Sequence, residues 1–196
     1  MKGIPYVQYK VIFLGDVNVG KTSLICRYMY NIFDPAYTAT IGIDFLSRTL
    51  YKDEQLLKLH FWDTAGQEKY KSLIHGYIRD STIAIVVYDV TNRESFENLQ
   101  SWIGLVRKEA GNSVIIIIVA NKIDLDRIVN QEEGMTRASE MEALYIETSA
   151  KTGENVKELY TLIFQIVPLL NTNFKIGDLS KGLALQPPKK VQRCSC

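Results

Sequence analysis

The chain has 196 residues, 46% of them hydrophobic, which is enough for one globular domain with a sizeable core. Lys and Arg total 23 against 22 Asp and Glu, and this balance gives no indication of a nucleic-acid partner. The longest apolar run, residues 114–120, is too short to span a bilayer, and the first ten residues lack the apolar segment of a signal peptide. Two of the three cysteines lie within the last three positions, so we expect a cytosolic protein without a disulfide framework.

In chain order, apolar runs predict strands at residues 9–14, 45–51, 56–62, 83–89, 114–120 and 145–147. Helical patterns are present at residues 21–30, 94–110, 131–141 and 156–170. The short polar link between the second and third strands predicts an antiparallel hairpin. Residues 31–40 contain turn formers, including Asp34-Pro35, and are predicted to form a loop.

Continuous apolar strands that alternate with helices predict an α/β fold, with a mostly parallel sheet covered by helices on both faces. In such sheets a ligand lies beyond the carboxyl ends of the strands. We expect residues 1–170 to form the domain. From residue 171 to residue 196 the periodic pattern gives way to Gly, Pro, Lys and Gln, which predicts a flexible C-terminal tail.

The segment GDVNVGKT, residues 15–22, fits the phosphate-binding pattern G-x-x-x-x-G-K-[ST] between a predicted strand and a predicted helix. The glycines let backbone N–H groups surround a phosphate, and the helix N-terminus adds partial positive charge. Lys21 can reach the β- and γ-phosphates, and the Thr22 hydroxyl can ligate Mg²⁺. The predicted triphosphate-binding residues are Asp16, Val17, Asn18, Val19, Gly20, Lys21 and Thr22.

Two later segments indicate guanine as the base. In NKID, residues 121–124, the Asp124 carboxylate can accept from the N1–H and N2–H₂ groups of guanine, a donor pair that adenine lacks. ETSAK, residues 147–151, follows the last strand and can donate backbone N–H to guanine O6. N-K-x-D alone is a weak signal, for which a helix-capping loop is the alternative. The predicted residues are Asn121, Lys122, Asp124, Ser149, Ala150 and Lys151.

DTAGQ, residues 63–67, lies between these motifs, directly after a predicted strand. Asp63 is placed to hold Mg²⁺ through water, and the Gly66 N–H can donate to a γ-phosphate. Gln67 is the predicted catalytic residue, because its amide can orient the attacking water. Alone, D-x-x-G is more often a solvated turn; between the phosphate-binding motif and the guanine motifs it predicts hydrolysis.

With GDVNVGKT, Thr40, DTAGQ, NKID and ETSAK in this order, the chain resembles the small Ras-like GTPases over about residues 9–170. The resemblance implies a P-loop NTPase fold with a six-stranded, mostly parallel sheet and five helices. It also implies a GTP/GDP switch that requires Mg²⁺, with Thr40 as both metal ligand and γ-phosphate sensor. The further nucleotide contacts that it implies are Ser23, Phe33, Asp34, Tyr37, Lys122 and Lys151.

Within the Ras-like proteins, the chain is most similar to the Rab proteins. It lacks the Rho insertion after residue 124, the acidic C-terminus of Ran, the Gly at position 2 of Arf and the C-a-a-X ending of most Ras members. IGIDF, WDTAGQEKY and the terminal Cys-x-Cys are Rab-type, and ATIGIDFLSRTLY resembles the Golgi-associated Rab subgroup. The effector contacts implied by this resemblance are Ile43, Phe45, Trp62 and Tyr77. Simple core packing is the alternative for these aromatic residues.

The C-terminal cysteines, Cys194 and Cys196, match the Rab geranylgeranylation signal, with idle cysteines as the alternative. Two lipid groups anchor a protein stably, whereas one binds a membrane marginally. The resemblance implies the cytoplasmic face of the Golgi or related membranes, with cycling through the cytosol. The partners that it implies are an exchange factor, a GTPase-activating protein, a GDP-dissociation inhibitor, a Rab escort protein and GTP-dependent effectors such as tethers or motor adaptors.

The sequence therefore predicts a GTP/GDP switch for vesicle traffic. We expect slow intrinsic hydrolysis because the catalytic arginine usually comes from a partner; Arg48 and Arg79 are the candidates in the chain itself, and both are more typical of surface pairs. A nucleotide-bound interaction module without productive hydrolysis is the main alternative, although Gln67, Thr40 and Lys21 argue against it. A metabolic P-loop kinase would need a second substrate site and a lid, which the sequence does not indicate.

Overall fold

The structure, a computed structural model, describes residues 6–36, 40–52, 55–66 and 71–169. Within these residues the strands, numbered in chain order, are β1 Tyr6–Leu14, β2 Ile43–Lys52, β3 Gln55–Thr64, β4 Ile83–Asp89, β5 Ile115–Asn121 and β6 Leu144–Glu147. The helices are α1 Lys21–Tyr30, α2 Lys71–Ile78, α3 Arg93–Glu97, α4 Leu99–Ala110, α5 Gln131–Glu140 and α6 Val156–Leu169.

The strands form one six-stranded sheet in the order β2-β3-β1-β4-β5-β6. The pair β2–β3 is the predicted antiparallel hairpin, and every other neighbouring pair is parallel. The predicted α/β fold with a mostly parallel sheet is therefore confirmed. Because the carboxyl ends of parallel strands meet at one edge, the loops after β1, β3, β5 and β6 lie together there.

Two apolar clusters pack against the two faces of the sheet. One contains α1 and α6 side chains such as Leu24 and Ile163, and the other contains residues of α2, α4 and α5, including Ile74 and Trp102. Every residue of β4 and of β5 is buried. Burial on both faces is the reason that these strands read as continuous apolar runs rather than as alternating ones.

Two predicted helical features need correction. The segment 94–110 is not one helix, because α3 ends at Glu97 and α4 begins at Leu99, with Asn98 between them. The helix α2 was absent from the predicted pattern, and its described side chains include Ile74 and Ile78, which lie one turn apart and are fully buried. The described residues therefore contain six helices rather than the implied five.

Strand boundaries differ from the prediction by a few residues. β1 begins three residues earlier than expected, at Tyr6, and the β2–β3 hairpin is longer at both ends. The predicted tail, residues 171–196, lies outside the described residues. Among the residues that are described, no helix has both the length and the apolar character that crossing a membrane requires.

Candidate functional site

A cavity of about 440 Å³ opens at the carboxyl edge of the sheet. Most of the predicted nucleotide contacts line it: Val17, Asn18, Gly20, Lys21, Thr22, Ser23, Phe33, Asp34, Thr40, Gly66, Asn121, Lys122, Asp124, Ala150 and Lys151. Residues from four separate motifs thus meet around one space. A cavity of this size and polarity is in the range of small-molecule and cofactor sites.

Sequence reasoning missed several residues of the lining, namely Cys26, Ile32, Pro35, Ala36 and Leu125. Cys26 lies one helical turn after Thr22, so helical spacing in α1 could have identified it. The other four residues adjoin predicted contacts in the chain. They contribute mainly apolar surface, which motif arguments about phosphate and base recognition do not reveal.

The loop between β1 and α1 has a backbone that requires glycine at two positions. Gly15 has φ +133°, and a Cβ there would lie 2.2 Å from the Val87 carbonyl oxygen. Gly20 has φ +97°, and a Cβ there would lie 2.3 Å from Nδ2 of Asn121. Both glycines therefore permit left-handed backbone and close approach to neighbouring strand ends, so that the loop curves around the cavity.

Lys21 is the first residue of α1 and is buried beside the cavity. Its Nζ donates to the carbonyl oxygens of Gly15, at 2.8 Å, and of Asp16, at 2.7 Å. Burial lowers the pKa of Lys21 to about 8, although the nearby carboxylates of Asp63 and Asp16 oppose the shift. An anionic ligand in the cavity would offset the cost of burying this ammonium group.

The predicted metal ligands lie together. The Thr22 hydroxyl donates to Oδ2 of Asp63 at 2.5 Å and lies 2.7 Å from the Thr40 hydroxyl. Burial raises the pKa of Asp63, and its Oδ1 is buried with no hydrogen-bond partner among the described residues. Two hydroxyls and an orphaned carboxylate oxygen fit Mg²⁺, which takes few protein ligands and completes its shell with phosphate and water.

In the part of the chain that the structure describes, no group of three or more His, Cys, Asp or Glu side chains could hold a metal by itself. The candidate Mg²⁺ site of Thr22, Thr40 and Asp63 contains two hydroxyls and one carboxylate. A metal bound by such a site would be expected to need the phosphate ligand for tight binding.

Asn121 connects three loops of the site. Its Nδ2 donates to the Val19 carbonyl at 2.8 Å, and its Oδ1 accepts from the Thr148 hydroxyl and the Ala150 N–H, each at 3.2 Å. The side chain is buried. Asn121 thus connects the loop after β1 to the loop after β6 through hydrogen bonds of both its Nδ2 and its Oδ1.

Asp124 is oriented by the loop after β6. Its Oδ1 accepts from the Ser149 hydroxyl at 2.6 Å, and its Oδ2 lies 3.8 Å from Nζ of Lys151. Lys122 also lines the cavity, and its Nζ forms a 2.6 Å ion pair with Asp89 at the end of β4. The carboxylate that would read the base is therefore held in place by Ser149, which itself does not line the cavity.

Asp16 and Val19 are also predicted contacts that do not line the cavity. The Asp16 carboxylate accepts from Nδ2 of Asn98 and from Nε1 of Trp102, both at 2.8 Å. This ties the loop after β1 to α4 on the second face of the sheet. Sequence reasoning missed Asn98 and Trp102, and no motif signals them because they lie more than eighty residues from Asp16.

Gly66 packs directly on the loop after β1. A Cβ on Gly66 would lie 2.4 Å from the carbonyl atoms of Asp16 and 2.5 Å from the Val17 nitrogen. The segment that contains the D-x-x-G motif therefore contacts the phosphate-binding loop backbone to backbone.

The predictions for Gln67, Tyr37, Cys194 and Cys196 lie outside the described residues.

Three aromatic residues form a continuous surface patch, here called the aromatic surface, which consists of Phe45, Trp62 and Tyr77. Phe45 faces Trp62 across the hairpin, with ring centroids 5.0 Å apart, and Trp62 lies 5.1 Å from Tyr77. Phe45 is 46% and Tyr77 is 37% exposed. These two side chains are accessible to solvent, whereas Trp62 is partly buried and packs against the core cluster on this face of the sheet. Ile43, the fourth predicted effector contact, begins β2.

Residues 10–168 match the sequence model of the Ras family. The match extends from the middle of β1 nearly to the end of α6. It includes all four motifs that contribute to the cavity and all three residues of the aromatic surface.

Proposed function

Since the chain belongs to the Ras family and is thus a GTP-binding switch protein, we propose that it is a Rab-type GTPase that regulates vesicle traffic at Golgi-related membranes. GTP hydrolysis to GDP and phosphate is the general activity of the family. The Rab and Golgi assignments rest on the sequence segments described above. The exposed aromatic surface beside the nucleotide cavity is the observation that supports an effector-binding switch most directly.

In this proposal different residues of the cavity bind different parts of GTP. The loop after β1 and the Lys21 ammonium bind the phosphates, and the Asp124 carboxylate selects guanine. Thr22, Thr40 and Asp63 would hold Mg²⁺, which neutralises phosphate charge when bound. Thr40, which precedes β2, senses the γ-phosphate, and the Gly66 N–H, after β3, donates to it.

The aromatic surface would report the nucleotide state. Phe45 lies on β2 shortly after Thr40, and Trp62 lies on β3 shortly before Gly66. Movement of either γ-phosphate sensor therefore acts on the edges of this surface. Effectors that contact the ordered arrangement would bind the GTP form preferentially.

Hydrolysis is proposed to be slow without a partner. No arginine is among the described residues that line the cavity. The two arginines considered from sequence lie elsewhere: Arg48 stacks over Tyr28, and Arg79 lies 3.9 Å from Glu109. An arginine supplied by a GTPase-activating protein would then accelerate the reaction by about 10³–10⁵-fold.

The catalytic role of Gln67 has a direct test. We expect Gln67→Leu to reduce single-turnover phosphate release by about 10²-fold or more, because the side chain can no longer orient water. GTP affinity should stay within a few-fold of the unaltered protein. Unchanged phosphate release would remove Gln67 from the mechanism.

Membrane attachment is proposed to use geranylgeranyl groups on Cys194 and Cys196. An escort protein would present the chain for lipidation, and a GDP-dissociation inhibitor would extract the GDP form from the membrane. Replacing both cysteines by serine should move the protein from the membrane to the cytosolic fraction. Persistence of the double variant on membranes would contradict this attachment.

Nucleotide-dependent capture tests the effector role. The full chain is loaded with GDP or with a non-hydrolysable GTP analogue, host lysate is passed over both, and retained proteins are identified. We expect tethers or motor adaptors of the Golgi on the GTP form. Phe45→Ala should abolish their retention, whereas Tyr51→Ala, at an exposed tyrosine of the same strand, should not.

Identical proteins on the GDP and GTP forms would contradict the switch and favour a nucleotide-bound interaction module. GTP-specific partners from a different compartment would retain the switch but contradict the Golgi assignment. Equal loss in the Phe45 and Tyr51 variants would show that the effector surface extends beyond the aromatic surface.

A further inference from the structure

A second cavity, of about 520 Å³, lies between α1, β2 and α6. It is separate from the nucleotide cavity, since the two share no lining residue. We call it the lateral groove, and its lining consists of Arg27, Tyr28, Asn31, Arg48, Gly153, Val156, Lys157, Tyr160, Thr161 and Phe164.

The lateral groove is positively charged. Arg27, Arg48 and Lys157 line it, and no Asp or Glu is among its described lining residues. Arg27 is used structurally, because it donates to the backbone carbonyls of Asn31 and Ala150 and to that of Lys151. Arg48 and Lys157 have no ion pair with any described residue.

One wall of the groove is aromatic and holds Arg48 in position. The Arg48 guanidinium lies over the Tyr28 ring, 4.6 Å from its centroid. Tyr28 in turn stacks on Tyr160 at 3.4 Å and lies 6.4 Å from Phe164. A guanidinium stacked on an aromatic ring is pre-organised, and its N–H edge stays available for a bidentate contact with a carboxylate.

We propose that the lateral groove binds an acidic segment of a partner protein, with a carboxylate on Arg48 and Lys157 and an adjacent apolar side chain against Tyr28 and Phe164. The charge of the lining requires an anionic group. The aromatic wall requires apolar surface directly beside that group. A glutamate or aspartate next to a large apolar residue satisfies both requirements.

The C-terminal segment of this chain is a poor occupant. Residues 170–196 contain five basic residues, Lys175, Lys181, Lys189, Lys190 and Arg193, but a single acidic one, Asp178. Their charge has the same sign as that of the groove. A lipid headgroup would satisfy Arg48 and Lys157 without using the aromatic wall, so it accounts for less of the lining.

The test measures binding of a peptide probe to the full GDP-loaded chain. The probe is a fluorescent hexapeptide of alternating glutamate and phenylalanine, and its control carries glutamine in place of glutamate. Arg48→Gln and Lys157→Gln are the test variants. Lys108→Gln, at an exposed lysine of α4, is the matched charge control. GDP affinity verifies that each variant is folded.

We expect saturable binding of the glutamate probe and at least about tenfold weaker binding of the glutamine probe. Arg48→Gln and Lys157→Gln should each weaken binding of the glutamate probe by about tenfold, and Lys108→Gln should leave it unchanged. In amide NMR spectra, probe-induced shifts should be concentrated in α1, β2 and α6.

Three results would overturn the proposal. The glutamate probe fails to bind at millimolar concentration, or both probes bind equally, or the groove variants behave like Lys108→Gln. A parallel measurement uses vesicles that contain phosphatidylserine and phosphoinositide. If the groove variants lose vesicle binding but not probe binding, the groove is a membrane contact and the proposed peptide site is wrong.

Discussion

At the scale of single residues, the proposed selection of guanine depends on Asp124. Its carboxylate lines the cavity and is fixed by Ser149 at 2.6 Å. We expect Asp124→Asn to weaken guanine nucleotide binding by about 10²–10⁴-fold, because two charge-assisted hydrogen bonds are lost and an amide donor faces the donors of guanine. Xanthine nucleotides, which present an acceptor there, should bind the variant better.

Competition between guanine and xanthine diphosphates measures this preference. Asp126→Asn is the control, because Asp126 is an exposed carboxylate two residues away that does not line the cavity. Retained guanine selectivity in Asp124→Asn, or an equal change in Asp126→Asn, would contradict the assigned role.

Two buried tyrosines allow a matched stability prediction. The Tyr160 hydroxyl is buried with no partner among the described residues, whereas the Tyr88 hydroxyl lies 3.3 Å from that of Tyr145. We expect Tyr160→Phe to leave the free energy of unfolding unchanged or to raise it by about 1 kcal/mol. Tyr88→Phe should lower it by about 1 kcal/mol.

Denaturant unfolding of the GDP-bound protein measures both changes. Equal destabilisation in the two variants would mean that the Tyr160 hydroxyl has a stabilising partner after all, such as an ordered water.

At the scale of elements, α4 supports the phosphate-binding loop through Asp16. The Asp16 carbonyl accepts from Lys21, and its carboxylate is held by Asn98 and Trp102. We expect Asn98→Ala to increase the GDP dissociation rate by about fivefold or more, because the loop loses a hydrogen bond to a charged group. The Asn98 side chain makes no helix-capping bond that the substitution would also remove.

The dissociation rate is measured with a fluorescent GDP analogue. Asn112→Ala, at an exposed asparagine after α4, provides the control and should not change the rate. A GDP dissociation rate in Asn98→Ala equal to that of the control would show that α4 does not support the loop.

The elements that sequence could predict are those whose pattern is local. Both faces of β4 and of β5 are buried, so these strands are visible in the sequence as apolar runs. The start of α1 is visible because the helix follows a strand and a glycine-rich loop. The interruption at Asn98 was not visible, because its amide bonds to a residue 82 positions away. Among the described side chains of α2, Ile74 and Ile78 are fully buried, and two positions are too few for a clear periodicity.

At the scale of the whole molecule, the residues that line the nucleotide cavity were largely predictable from the sequence. The contacts that hold the loops of the cavity in place were not. The motif residues lie at strand ends, and a parallel sheet brings such ends together regardless of loop detail. By contrast, the side-chain contacts by which Asn121 connects the loops after β1 and after β6 were not predicted. The lateral groove combines residues of three separate elements, so no local pattern signals it.

The proposed switch requires that the γ-phosphate change the two segments that flank the aromatic surface. Hydrogen–deuterium exchange of the full chain, loaded with GDP or with a non-hydrolysable GTP analogue, detects such a change. We expect slower exchange in the GTP-analogue state over residues 32–45 and 63–78, with β5 and α6 unchanged. Equal exchange of both segments in the two states would contradict the switch.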